Sequence, residues 1–184
     1  MKGFHDVLNI QGLKLIKNFY MEDLRGNFLK VYQHSKLPQE ITDLDFREIF
    51  VSTSAKNVIR GMHFQTPPYE TAKLITVISG KVLDVVLDMR RSSETFANIY
   101  SVFLGGDCEF RSMFIPAGCA HGFLTLTDNA SMLYACTNEF VPAHDTGVRF
   151  DSIDFTWPVD REKIIISGKD KLLASWDPET TPFD

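Results

Sequence analysis

A histidine, a lysine, two aspartates and a tyrosine interrupt otherwise apolar runs in the middle of the chain: His63, Lys73, Asp84, Asp88 and Tyr134. Side chains alternate along an extended strand. In Arg60-Gly61-Met62-His63-Phe64-Gln65, His63 and Gln65 therefore share a side with Gly61, while Arg60, Met62 and Phe64 share the other. Lys73 falls with Ile75 and Val77, Asp84 and Asp88 flank Val86, and Tyr134 lies with Met132 and Cys136. A lone strand lysine usually marks a solvated edge, and a lone histidine is more often a satisfied core or surface group. Five such residues on aliphatic faces are costly unless paired or used, and a barrel lumen holding a polar ligand accounts for them together. An imidazole that titrates near neutrality, an ammonium and a phenol are the ingredients of general acid–base chemistry.

The segment Pro116-Ala117-Gly118-Cys119-Ala120-His121-Gly122-Phe123 brackets a tight turn, after which His121 opens a strand and can point inward. This Pro-x-Gly-x-x-His arrangement resembles the second cupin motif. The first cupin motif carries a metal-binding His-x-His, whereas this chain reads His63-Phe64-Gln65. Two histidines without a third ligand at the right spacing predict no metal site. Cys108, Cys119 and Cys136 match no zinc spacing and read as free thiols in a reducing cytosol.

The elements that must position these groups are short and β-rich. Strands are predicted over 13–20, 28–34, 46–53, 58–65, 73–78, 82–89, 99–104, 110–115, 122–126 and 132–140, punctuated by Gly, Pro, Asn and Asp. Ser79-Gly80 between two apolar runs predicts a hairpin. Helical periodicity is confined to short segments near 36–43 and 170–175. The pattern predicts one all-β domain over 1–184, jelly-roll-like, without repeat or linker. A net charge of -5 excludes a general nucleic-acid binder. No run is long and apolar enough for a membrane span, and Met1-Lys2-Gly3-Phe4-His5-Asp6 lacks a signal h-region, so a cytoplasmic protein is expected.

Taken in order, Arg60 to Gln65, Lys73-Leu74, Asp84 to Phe96, Phe114 to Phe123, Leu133 to Phe140 and Lys169-Asp170 resemble the dTDP-4-dehydrorhamnose 3,5-epimerase family along nearly the whole chain. The resemblance implies a cupin jelly-roll barrel with short peripheral helices, exchanging an N-terminal strand across a homodimer. It implies a nucleoside-diphosphate 4-keto-6-deoxy sugar as substrate, in deoxysugar synthesis for rhamnose and cell-surface polysaccharide such as the O-antigen of lipopolysaccharide. His63 then matches the base next to the ketone, Asp170 its orienting partner, Tyr134 the acid on the opposite face and Lys73 the group facing the enolate oxygen. Arg25, Arg60, Asp84, His121, Asp145 and Lys169 match substrate contacts. Such chemistry makes sense of the residue types, since an enolate needs donors aimed at its oxygen and no cofactor.

Departures from the family gather where it contacts the nucleotide. Lys30 stands where the family has a Glu, Glu48-Ile49-Phe50 where it has Gln-x-Asn, and Phe140 where it has a stacking Tyr. Lys30, Glu48, Phe50 and Phe140 are thus substrate-binding candidates with altered chemistry, compatible with dTDP or with a different base such as that of CDP. A C3-only epimerase, a 3,4-ketoisomerase and a non-catalytic sugar-nucleotide-binding cupin are the rival readings, with a metal-dependent cupin the least favoured. The proline-bearing tail from Trp176 to Asp184 reads as a surface extension, and Arg90-Arg91 as a turn or solvated pair.

Overall fold

The computed structural model describes residues 3–184; Met1 and Lys2, at the head of the segment read for a leader, lie outside the described residues. Two antiparallel sheets face each other. One runs in the order β1 (Phe4–Asp6), β2 (Lys14–Ile16), β10 (Ser112–Ile115), β7 (Lys73–Ser79), β12 (Ala130–Cys136) and β5 (Glu48–Ser54). The other runs β13 (Asp145–Gly147), β6 (Ile59–Gln65), β11 (Cys119–Thr125), β8 (Lys81–Asp88) and β9 (Ile99–Gly105). β3 (Phe19–Asp23) and β4 (Gly26–Lys30) pair only with each other, as a separate hairpin. The helices are single turns, α1 (Gln39–Thr42) and α2 (Gly168–Lys171). The architecture is the expected β-rich, cupin-like jelly roll.

Alternation explains the core. Ile75 and Val77 on β7, Val86 on β8, Met113 on β10, Phe123 on β11 and Met132 on β12 meet between the sheets. The next residues along point outward, yet on the five-stranded sheet they are buried too. Met62, Phe64, Val85, Leu87, Ala120 and Leu124 are covered by Val148, Ile153, Trp157 and Phe183 from the C-terminal third. That second cover makes β8 buried from Val82 to Asp88, which is why it reads as an almost continuous apolar run.

Three expectations are corrected. Ser79-Gly80 does not close a hairpin: β7 pairs with β10 and β12, β8 with β11 and β9, so the turn carries the chain from one sheet to the other. Gly80 has φ +76, and a Cβ there would meet the Ala130 backbone at 2.7 Å, so the crossover is too tight for a side chain. The tail is not a loose extension. Phe183 is 5% exposed and edge-on to Phe64 at 5.4 Å, while Thr181 donates to the Met89 carbonyl at 2.6 Å and Arg91 N to the Phe183 carbonyl at 3.2 Å. Arg90 is no solvated residue either; its guanidinium donates twice to Asp88, at 2.8 Å each.

The remaining differences are of length. The stretch 13–20 breaks at Lys17-Asn18 into β2 and the start of β3. β1 and β13, at three residues each, are too short to leave a pattern. α2 begins earlier than expected because Ser167 caps it, its hydroxyl accepting from Asp170 N at 3.0 Å.

Candidate active site

The two sheets splay around a cavity of about 420 Å³. β6 contributes Arg60, His63 and Gln65; β7 contributes Lys73; β11 contributes His121 and Phe123; β12 contributes Tyr134 and Cys136. Glu48, Phe50 and Ser52 enter from β5, and Phe140 and Asp145 stand at the mouth.

Strict alternation would turn Arg60 away from His63, and here a bulge overrides it. His121 pairs with His63 and Phe123 with Arg60, so two steps on β11 span three on β6. Gly61 takes up the extra residue at φ +120, where a Cβ would lie 2.5 Å from Gly122 Cα. Arg60 thereby faces the cavity and donates from Nε to Ser54 Oγ at 2.9 Å.

Each histidine is held by a carboxylate. His63 Nε2 lies 2.9 Å from Asp170 Oδ1, and Gly61 N donates to the other oxygen at 3.4 Å. Burial works against the Asp170 charge, but the hydrogen bond and charge of His63, with help from Ser167 and Gly61, hold its carboxyl below the ordinary range. An ionised carboxylate only accepts, so Nε2 carries the proton and Nδ1 is left as the basic nitrogen. His121 Nε2 lies 3.0 and 2.9 Å from the two oxygens of the fully buried Asp84. Burial raises the Asp84 pKa, with His121 and Lys73 opposing.

Lys73 projects its ammonium to within 3.5 Å of the His63 carbonyl. Burial lowers its pKa, outweighing the pull of Cys136, Asp145 and Asp84. Tyr134, 7% exposed, is covered by Phe50, whose ring stacks on it at 4.6 Å and 11°. Burial pushes its phenol well up, only partly offset by Ser52 and Arg60. Burial also pushes the Cys136 thiol to about 11 and leaves it no nucleophile at neutral pH.

Of the residues read from the sequence, His63, Lys73, Tyr134, Arg60, His121, Glu48, Phe50, Phe140 and Asp145 line this one cavity, with Asp170 and Asp84 behind its two imidazoles. Lys169 stays outside the wall, 55% exposed and ion-paired to Asp145. Arg25 and Lys30 are not brought to the cavity of their own chain: they sit on the β3–β4 hairpin, where Arg25 pairs with Asp23 and the Lys30 ammonium lies 5.3 Å from the Phe19 ring. Ser52 and Phe123 were missed, although they follow Phe50 and His121 by two residues on the same strands, a signal that was available. Thr71 and Asn138 come from loops and leave none. Among the described residues no group of three or more His, Cys, Asp or Glu gathers as a metal site requires, and both histidine Nε2 atoms are taken by carboxylates.

A cupin-like jelly roll around a cavity furnished for proton transfer is the class to which fold and site lead. The family model described as dTDP-4-dehydrorhamnose 3,5-epimerase matches residues 7–177. A relative of that name from Methanothermobacter thermautotrophicus is 34% identical over 173 residues, 92% of this chain and 91% of the relative. RmlC from Legionella pneumophila, solved with dTDP-4-keto-L-rhamnose, superposes with a TM-score of 0.85 at 30% identity over 98% of this chain and 97% of that one. ChmJ, a 3'-monoepimerase from Streptomyces bikiniensis solved with dTDP-quinovose, superposes at 0.81 with 26% identity over 93% and 87%. The chain belongs to the dTDP-4-dehydrorhamnose 3,5-epimerase family, which makes it an enzyme of the isomerase class.

Proposed function

We propose that the protein epimerises a nucleoside-diphosphate 4-keto-6-deoxy sugar at C3, at C5 or at both. The observation that carries this is the placing of His63 and Tyr134 on opposite sheets, β6 and β12, while both line one cavity. Inversion needs a base on one side of the ring and an acid on the other. His63 Nδ1 takes the proton next to the ketone and later releases it to solvent; the C–H bonding pair becomes the C=C bond of the enolate as the carbonyl π pair moves to oxygen, which Lys73 faces. Tyr134 returns a proton to carbon from the other side and regains its own from solvent. Asp170 fixes the His63 tautomer, and Asp84 does the same for His121 beside the substrate. Arg60 and Asp145 contact substrate, and the exposed Phe140 ring stacks on the base. His63→Ala, folded by circular dichroism, is expected to lose deuterium exchange from D2O into substrate; retained exchange removes His63 from the role. In the wild type, one deuterium marks a single-centre epimerase and two mark the double one.

The hairpin that carries Arg25 and Lys30 belongs to neither sheet, and it exposes Phe19, Met21 and Phe28, while the β5 edge exposes Ile49 and Val51. These features support a homodimer in which each hairpin serves the other copy, with Lys169 flanking the entrance. Mixing His63→Ala with Arg25→Ala then restores activity in the heterodimer, and additive inactivity on mixing refutes the arrangement. Lys30, of opposite charge to the family's Glu, favours a second reading of the base, with CDP in place of dTDP; side-by-side turnover of the two sugar nucleotides decides it. Free thiols at Cys108, Cys119 and Cys136 support a cytoplasmic setting.

A further inference from the structure

We infer that Glu48 is a positioning residue that, together with Gln65, clamps the peptide groups around Phe140 and holds its ring as the platform for the nucleoside base. This rests on the nucleotide-sugar reading above. Phe140 lies outside any strand, at the cavity mouth, and its side chain is 56% exposed. Such a ring on an unsupported loop would lose much of its stacking energy to ordering on each binding event.

The loop is held from both walls. From β5, Glu48 Oε2 accepts from Phe140 N at 3.1 Å. From β6, Gln65 Oε1 accepts from Val141 N at 2.7 Å, and Gln65 Nε2 donates to the Glu139 carbonyl at 3.2 Å. Peptide groups on both sides of Phe140 are therefore tied to side chains of the two sheets. Gln65 is itself anchored: it is 8% exposed, and Nε2 also reaches the Tyr69 carbonyl and Thr71 Oγ1, each at 3.0 Å. The Val141 carbonyl accepts from His144 N and Asp145 N, so the loop stays fixed as far as Asp145. Glu48 spends an oxygen on the backbone rather than on the ligand, and the clamp needs an acceptor there, not a charge.

The test is calorimetric binding of dTDP, of CDP and of inorganic pyrophosphate to the full chain, alongside steady-state kinetics. Glu48→Ala is expected to weaken nucleoside diphosphate binding about tenfold, the scale of one lost base stack. Pyrophosphate binding should hold within about twofold, and KM should rise while kcat stays within about threefold, because the reacting groups are untouched. Glu48→Gln keeps an amide oxygen for Phe140 N and should bind like the wild type. Glu48→Ala/Phe140→Ala should bind no worse than Phe140→Ala alone. Gln65→Glu, which loses both donors but keeps an acceptor, reproduces the Glu48→Ala pattern if Glu48→Ala is recovered unfolded. A Glu48→Gln as weak as Glu48→Ala, or additive losses in the double variant, overturns the clamp. A wild type that binds neither dTDP nor CDP instead refutes the nucleotide-sugar reading on which it stands.

Discussion

Asp170 meets His63 from a helical turn 107 residues further along the chain, with 2.9 Å between Oδ1 and Nε2. The contact joins the base strand to the C-terminal third and leaves one ring nitrogen free, so removing the carboxylate charge should cost catalysis and, at some pH values, stability.

Asp170→Asn should lower kcat about a hundredfold, because the amide no longer fixes the tautomer or supports the imidazolium. The Asp170 pKa is lowered on folding. Its contribution is therefore present above the unfolded value of about 3.9 and is lost as pH falls through the lower folded value. Thermal melts should show wild type above the variant at pH 7 and the two converging below about pH 4.

Tyr134→Phe removes one hydroxyl from under Phe50 and should leave the fold intact. With His63 still abstracting protons, deuterium should enter from D2O while net inversion falls about a hundredfold. Mass spectrometry with NMR of the recovered sugar checks the split. Because burial keeps the phenol protonated, no alkaline loss of activity up to pH 10 should trace to Tyr134.

Lys73 presents the opposite trade. Its folded pKa is depressed by burial, so its charged form opposes folding at neutral pH, and that penalty fades as pH rises through the folded value. Lys73→Met should melt higher than wild type at pH 7, by a margin that narrows toward pH 10, and should lose about two orders of magnitude in kcat. Melting curves across pH and a single-substrate assay test both halves.

Phe183→Ala removes a ring packed against Phe64 behind the site. A loss of about 3 kcal/mol in urea unfolding is expected, a magnitude a surface extension could not produce.

The alternation of β7, β8 and β12 made Lys73, Asp84 and Tyr134 legible, because a strand with a buried face leaves little freedom about which side each residue takes. His63 was found the same way, and Gln65 was placed on its face without being read as a site residue. Arg60 was not, since its direction depends on a bulge set by the closeness of Gly61 to Gly122, a contact between separate strands. Asp170 came only from resemblance; no local period links residues so far apart. Resemblance also brought in Arg25, Lys30 and Lys169, which do not line the cavity of their own chain. Phe183 was misjudged because prolines forbid regular hydrogen bonding without forbidding burial, and the tail crosses the sheet through a few backbone contacts and one ring.

The crossover at Gly80 also bears on how the chain acquires its shape. Within the two large sheets only β1 with β2 and β8 with β9 pair with the next strand in sequence; β5 waits for β12 and β6 for β11. On a ribosome β5 would emerge with an unpaired edge and find its partner only after the segment through Cys136 had been made. Relaxation in milliseconds to seconds, rather than microseconds, is the pace such distant pairings set.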